Sequence, residues 1–157
     1  MEPSKRGPLT VWLRTSPITR SSFDVRAEFD SVTQNLRSTS FSGGVFLPSV
    51  SASATWFASY DPTSGDVTSS QTRVSSAFGP PRGPWRIELH GAYDIFRSKL
   101  IDQRYVVRWQ GSCWAAYAEV RDYRISPYDI RRYRVSIDLA GLGKFLEFRG
   151  RLGGRLD

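Results

Sequence analysis

Apolar and polar residues alternate with a period of two along most of this chain, in segments of about ten residues. The clearest segment runs from Trp85 to Ile95, where the odd-numbered positions are apolar apart from Gly91 and most of the even-numbered positions are polar or charged. Because successive side chains of a strand point to opposite faces, this pattern predicts strands with one apolar and one polar face. No segment shows a convincing helical period.

The alternation predicts an all-β fold with about eight strands. These strands lie at 22–30, 36–46, 49–60, 67–78, 85–95, 100–110, 113–123 and 131–139, and a short apolar piece follows at 145–148. Pro, Gly and Asp punctuate the links between them, as turns require. No strand–helix–strand pattern is present, which indicates an antiparallel meander. We therefore divide the chain into an irregular segment at 1–20, strands at 21–148 and a Gly/Arg-rich tail at 149–157.

The predicted strands are long and carry aromatic residues near their ends. A tilted strand needs about 9 to 11 residues to cross a bilayer, whereas strands of soluble proteins most often have about 5 to 6. Aromatic residues make up 13% of the chain, and aromatic girdles mark the two interfaces of membrane barrels. Length and aromatic placement favour an outer-membrane type of β-barrel. The alternative is a soluble antiparallel barrel or sandwich that acts as a binding module.

These two hypotheses differ in where the apolar face points. In a membrane barrel it meets lipid, and in a soluble sandwich it packs against a second sheet. The candidate lipid-facing residues are Trp85, Ile87, Leu89, Tyr105, Val107, Val135 and Ile137. Their exposure would support the membrane hypothesis, and their packing between two sheets would contradict it.

The chain is basic, with a net charge of +7, and only three of its 22 basic residues are Lys. Arginine favours planar, bidentate contacts with carboxylates or phosphates. Six arginines recur on the polar faces of successive predicted strands: Arg86, Arg104, Arg108, Arg121, Arg132 and Arg134. They could line a lumen and contact phosphate groups, or they could form a ladder of cross-strand pairs with carboxylates. Asp94, Asp102, Glu119 and Asp138 are available for such a ladder.

Several function classes are not expected. One His and one Cys cannot form a zinc cluster, and His90 and Asp94 would lie about 13 Å apart on one strand, too far for a catalytic dyad. We therefore expect no catalytic residues, no metal and no cofactor. The run 131–134 holds three arginines and an aromatic residue, as in nucleic-acid binders, but alternation divides it between two faces, so no nucleic-acid partner is expected.

Two kinds of membrane signal are also not found in the sequence. No stretch approaches 18 consecutive apolar residues, so no transmembrane helix is predicted. The first eight residues lack the apolar core of a secretory signal. The missing helix does not bear on β-barrels, whose signal is alternation. The missing secretory signal is a difficulty for an outer-membrane barrel, and a fragment of a larger barrel would explain it.

Four short motifs between residues 93 and 143 resemble a known family. They are Tyr-Asp-Ile at 93–95, Ile-Asp-Gln-Arg-Tyr-Val-Val-Arg-Trp-Gln-Gly at 101–111, Cys-Trp at 113–114 and Ser-Ile-Asp-Leu-Ala-Gly-Leu-Gly at 136–143. This succession resembles the C-terminal end of the barrel in the lipopolysaccharide-assembly family LptD. The resemblance covers about 50 residues, and the strands before it alternate as those of any barrel would.

The resemblance implies a non-catalytic protein of the bacterial outer membrane that moves lipopolysaccharide to the outer leaflet. The implied partners are lipopolysaccharide, outer-membrane lipid, a plug lipoprotein of the LptE type and the barrel-assembly machinery. Cys113 matches the family's disulfide-forming position, where it would pair with a missing domain or another chain. The alternative for Cys113 is a small buried hydrophobe.

The chain departs from the family pattern in ways that predict a fragment of a larger barrel. It has too few strands for the whole barrel and no jelly-roll domain, Ser112 instead of a second Cys precedes Cys113, and the last three residues include no aromatic. We therefore expect an open, curved sheet whose first and last strands do not pair. The alternative is a complete small barrel of eight strands, the minimum for such proteins.

Overall fold

The fold is an antiparallel meander, as the alternation predicts. A computed structural model describes residues 7–125 and 128–155, and within these residues ten strands form one sheet in which each strand pairs with its neighbours in sequence. The strands are β1 (Leu9–Thr15), β2 (Ser21–Phe29), β3 (Leu36–Phe46), β4 (Val50–Tyr60), β5 (Val67–Phe78), β6 (Trp85–Asp94), β7 (Lys99–Gln110), β8 (Trp114–Ile125), β9 (Tyr128–Leu139) and β10 (Gly143–Arg155). The described residues contain no helix that could cross a bilayer.

The prediction of about eight strands was wrong at both ends of the chain. The segment 1–20, expected to be irregular, contains β1, because Leu9, Val11 and Leu13 alternate over a stretch too short to stand out between prolines. The expected tail at 149–157 belongs to β10 as far as Arg155. Glycines in β10 supply backbone hydrogen bonds to β9 without needing side-chain packing, so a Gly-rich composition hides this strand.

The register keeps the two faces separate across the whole sheet. On one face Leu89 lies opposite Tyr105, and Tyr105 lies opposite Val120. Register shifts occur between Glu28 and Phe29, Ser59 and Tyr60, Ala92 and Tyr93, and Lys144 and Leu146. All four lie near strand ends, so the alternation of the strand bodies is preserved.

Two hairpin turns at the same end of the strands are each capped by an Asp carboxylate. Asp30 Oδ1 accepts hydrogen bonds from the backbone N–H groups of Val32 and Thr33, at 2.9 and 3.0 Å. Asp61 Oδ1 accepts from Thr63 and Ser64, at 2.7 and 3.2 Å. Such bonds are local in sequence, because the Asp side chain reaches backbone N–H groups two or three residues further on. An Asp at this position therefore stabilises the turn without help from distant residues.

Glycine is required at one turn of the opposite edge. Gly79, between β5 and β6, has a positive φ of 96°. A Cβ at this position would lie 2.4 Å from the carbonyl oxygen of Trp85. The close approach fixes the place where β6 begins, with Trp85 as its first residue.

The sheet is open, as expected for a barrel fragment. Among the described residues β1 pairs only with β2, and β10 pairs only with β9. The alternative of a closed eight-stranded barrel is therefore wrong for this structure, both in strand number and in closure. A single layer also leaves almost no apolar core: within the described chain, the buried hydrophobic residues are Ala58, Ala77 and Val106.

Candidate functional site

The apolar face is uncovered, and the Asp122–Arg131 ion pair lies on it near the start of β9. The seven candidate lipid-facing residues all lie on it, as the registers of β6 to β9 show. Trp85, Ile87, Tyr105, Val107 and Val135 are exposed, from 36% to 46%, while Leu89 and Ile137 are half-buried by their neighbours on the same sheet. No second layer of described residues packs over this face.

Aromatic side chains lie at both ends of the apolar face. Trp85 lies directly opposite Trp109, and Trp114 begins the next strand at the same edge. Tyr93 lies eight positions along β6 from Trp85, which is about 26 Å along the strand and, at a tilt of about 35 to 45°, about 20 Å along a barrel axis. An apolar band of about 25 Å between aromatic girdles is typical of outer-membrane barrels.

The polar face is the more enclosed side of the sheet. Val106 is fully buried there, between Arg104 and Arg108 on its own strand and opposite Glu88 and Glu119 on the neighbouring strands. A cavity of about 490 Å³ opens on this face across five strands, β4 to β8. Charged side chains therefore cover the more enclosed side, which is where a soluble protein would place its core.

Five of the six predicted arginines lie near carboxylates on this face. Arg121 donates two hydrogen bonds to Asp102, at 2.9 and 2.7 Å. Arg104 binds Glu119 at 2.6 Å, and Arg134 binds Glu147 at 2.8 Å. Arg86 Nε lies 3.0 Å and Arg108 Nη1 4.0 Å from Glu88 Oε1, and Arg108 also lies over the ring of Tyr117.

The predicted ladder of ion pairs is thus right in part: Asp102 and Glu119 pair with predicted arginines, whereas Asp94 and Asp138, within the described chain, do not. Asp94 pairs with Arg97 in the turn after β6 instead of with a strand arginine. Asp138 Oδ1 is buried and accepts no hydrogen bond from the described residues. Arg134 instead binds the carboxylate of Glu147, on β10, which was not among the four carboxylates named for the ladder.

The strands also bring basic residues directly opposite one another in a line that we call the basic row. It consists of His90, Arg104, Arg121, Arg132 and Arg151, one residue from each of β6 to β10. Like charges placed directly opposite destabilise a sheet unless anions compensate them. Glu119 and Asp102 compensate Arg104 and Arg121, whereas Arg132 and Arg151 make no ion pair or hydrogen bond within the described chain.

The uncompensated end of the basic row lines a cavity of about 390 Å³. Its charged lining residues are Glu119, Arg121, Arg132, Arg134, Arg149 and Arg151. Sequence reasoning missed Arg149 and Arg151 because they were assigned to the tail. The signal was present in residues 147–152, where Glu147, Arg149 and Arg151 alternate with an apolar Phe, a Gly and a Leu.

The remaining sequence candidates take no part in this cluster. Arg131 and Tyr133 project from the opposite face to Arg132 and Arg134, so the basic run is divided as expected, and Arg131 pairs with Asp122. The described residues contain no group of ligands for a metal ion. Cys113 is exposed in the link between β7 and β8, so its interpretation as a buried hydrophobe was wrong. A disulfide at Cys113 stays a prediction.

Comparison with known proteins does not place the chain in a family. No protein-family model, curated protein or solved structure matches it. The resemblance of residues 93–143 to LptD therefore stays a prediction.

Proposed function

We propose that this chain is a membrane-embedded part of an outer-membrane β-barrel. Its apolar face contacts lipid, its polar face lines a water-filled lumen, and it catalyses no reaction. One observation carries the proposal: large apolar side chains cover the open face, while charged side chains cover the enclosed face. This is the inverse of a soluble domain and the normal arrangement of a membrane barrel.

Strand length adds a second argument. The nine strands from β2 to β10 have between nine and 13 residues. A tilted transmembrane strand needs about 9 to 11. Every one of these strands is long enough to span the apolar layer, and the surplus extends into the interfaces.

The finer part of the proposal concerns cargo. We propose that the barrel moves lipopolysaccharide toward the outer leaflet, with outer-membrane lipid, a plug lipoprotein of the LptE type and the barrel-assembly machinery as its partners. The support is the resemblance of residues 93–143 to LptD, together with arginines that offer phosphates charge-assisted hydrogen bonds along the lumen. The proposal for cargo depends on the proposal for the barrel.

Tryptophan quenching by brominated lipids tests the orientation of the two faces. Trp56 lies in the middle of β4 on the apolar face, where it stacks on Phe41, whereas Trp12 lies on the polar face and donates a hydrogen bond to Asp24. Variants that retain a single Trp, with Phe at the other four positions, would be refolded into phosphatidylcholine vesicles. We expect bromines near the acyl-chain ends to quench Trp56 strongly and Trp12 little.

The same experiment distinguishes the alternative. A soluble binding module would remain monomeric in buffer without detergent, and neither Trp would be quenched. Equal quenching of Trp12 and Trp56 would also contradict the proposal, because it would mean that the two faces do not meet different solvents.

A further inference from the structure

We infer that Arg121, Arg132 and Arg151 form a binding site for a phosphate-bearing anion on the polar face. The three guanidinium groups belong to adjacent strands, with Arg132 directly opposite both Arg121 and Arg151. The inference deepens the proposed function, which already offers lumen arginines to phosphates, and it rests on the assignment of this face to water. It adds the particular residues and the location of the site.

The charge balance of the cluster argues for a missing anion. Five arginines line the cavity at β8 to β10, and the carboxylate in its lining is Glu119, which already pairs with Arg104. Asp102 and Glu147 bind Arg121, Arg134 and Arg149 from the flanks. Arg132 and Arg151 keep their full charge side by side, an arrangement that costs folding free energy until an anion lies between them.

The geometry favours phosphate over a single carboxylate. Directly opposed residues of an antiparallel pair have Cβ atoms about 4.5 to 5.5 Å apart, so two guanidinium groups can bind different oxygens of one tetrahedral anion. Planar donor forks suit such bidentate contacts. The volume of about 390 Å³ accommodates more than one phosphate group, and the cavity lies beside β10, the edge strand, where an extended ligand can enter.

A binding experiment on the full chain refolded in zwitterionic detergent micelles tests the site. The probe in the first arm is inorganic pyrophosphate, measured by titration calorimetry at low salt. The probe in the second arm is phosphatidic acid added to the same micelles at a few mole per cent. Each arm compares Arg132→Gln and Arg151→Gln with Arg73→Gln, because Arg73 is an exposed arginine of the same face that lies outside the basic row, opposite Thr55 and Ala92.

We expect Arg132→Gln and Arg151→Gln to raise the dissociation constant by about tenfold or more, and Arg73→Gln by less than about twofold. A response in the first arm identifies a soluble phosphate compound as a ligand, and a response in the second arm alone identifies a lipid headgroup. Both replacements should also leave the unliganded protein at least as resistant to denaturant, because they remove like-charge repulsion. If the arginine instead had a purely structural role, its replacement would lower the resistance of the unliganded protein to denaturant.

Two results would overturn the inference. One is the absence of saturable binding in both arms, and the other is an equal loss of binding in Arg73→Gln, which would show a diffuse effect of net charge. Failure of this site and failure of the proposed function are separable. Vesicle insertion with normal quenching of Trp56 but no anion binding contradicts only the site, whereas anion binding without insertion contradicts only the membrane function.

Discussion

Asp30 and Asp61 show how single side chains close the turns at one edge of the sheet. Each carboxylate accepts two backbone hydrogen bonds, and these bonds lower its pKa below the ordinary value of 3.8. The bonds from Thr33 and Val32 are the main cause at Asp30, and those from Thr63 and Ser64 at Asp61. Both residues lie in turns outside the strands, in contact with water.

These lowered pKa values predict a loss of stability in acid. A carboxylate with a depressed folded-state pKa stabilises the fold fully above its unfolded pKa, and this contribution disappears as the pH falls from 3.8 through the lower folded value. Asp61→Asn keeps an oxygen acceptor but cannot titrate. We expect the denaturant midpoint of Asp61→Asn in micelles to vary less with pH below 4 than that of the wild-type protein, as a pH series of unfolding curves would show.

Asp66→Asn is the matched control for this prediction. Asp66 lies in the same turn, but its carboxylate makes no hydrogen bond within the described chain. Its replacement removes the same charge from the turn but none of the carboxylate hydrogen bonds, so we expect it to flatten the profile less than Asp61→Asn does. If Asp66→Asn and Asp61→Asn flatten the profile equally, general charge and not the turn hydrogen bonds governs the acid response.

Leu89 tests the environment of the apolar face at a single position. It lies in the middle of β6, opposite Tyr105 and Ser76. If this face meets hydrocarbon, Leu89→Arg should destabilise the folded protein by about 2 to 4 kcal/mol, the penalty for Arg near a bilayer midplane. Unfolding from phosphatidylcholine vesicles by guanidinium chloride would measure the change.

The control for Leu89→Arg places the same residue on the other face of the same strand. Ala92→Arg projects between Arg73 and Asp102, where one like and one opposite charge balance. We expect it to change stability by less than about 1 kcal/mol, because the half-buried Ala92 lies on the polar face, where water can reach an Arg side chain. Equal penalties at the two positions would contradict the assignment of the faces.

At the scale of the strands, the sequence located most elements and predicted their meander pairing, but not the register between them. The bounds of β3 and β5 coincide with those inferred from sequence, and β4, β6 and β7 differ by one residue at one end. Alternation identifies such strands because each body keeps one apolar and one polar face without interruption. It failed for β1 and most of β10, where flanking prolines or internal glycines interrupt the signal.

The basic row could not be inferred in the same way. Alternation indicates which face an arginine occupies, but the residue opposite it depends on register, and register depends on turn lengths and on shifts such as that between Ala92 and Tyr93. A shift of two positions would keep every face assignment and still break the line from Arg104 to Arg132. The six arginines were therefore predictable as a set on one face, and their direct opposition was not.

The ion pair between Asp102 and Arg121 yields a prediction about this row. Asp102→Asn removes the carboxylate that compensates Arg121, which then faces Arg104 and Arg132. We expect a loss of about 1 kcal/mol or less, because the Arg121 side chain is 43% exposed and water screens the pair. In an Arg132→Gln background the same substitution should cost less, since the row then carries one charge fewer.

A double-mutant cycle in micelles measures this coupling, and Asp24 provides its control. Asp24 binds Trp12 and Arg14 on the same face, at β1 and β2, far from Arg132. The cost of Asp24→Asn should be the same with and without Arg132→Gln, because distant sites are additive. If Asp102→Asn costs as much in both backgrounds, the basic row does not act as one electrostatic unit.

At the scale of the whole molecule, very short segments of chain connect the strands of the sheet. Links of two to six residues separate successive strands at both edges. Outer-membrane barrels commonly have short turns at one edge and longer loops at the other. Short links at both ends of the strands leave most of the surface of the described chain to the two faces of the sheet.

The two edge strands differ in a way that determines how the sheet can close. Ten is an even number, so β1 and β10 are antiparallel and a ladder between them is allowed by topology. However, β1 has seven residues and β10 has 13. A ladder between them would leave about half of the backbone groups of β10 unpaired, and unpaired backbone groups facing hydrocarbon cost several kcal/mol each.

We therefore predict that β10 pairs in a membrane with a strand other than β1, from a continuation of this chain or from another chain. The test uses a Cys113→Ser background, with Val11→Cys on β1 combined in turn with Leu146→Cys, Phe148→Cys or Leu152→Cys on β10. The control pair is Val135→Cys with Phe148→Cys, which lie directly opposite each other on β9 and β10. After oxidation in phosphatidylcholine vesicles, we expect an intrachain disulfide in the control pair and none in the three β1–β10 pairs, as mobility on non-reducing gels would show. An intrachain disulfide at any β1–β10 pair would mean that the ten strands close on themselves. The backbone groups of β10 that extend past β1 would then have to be paired by other parts of the chain.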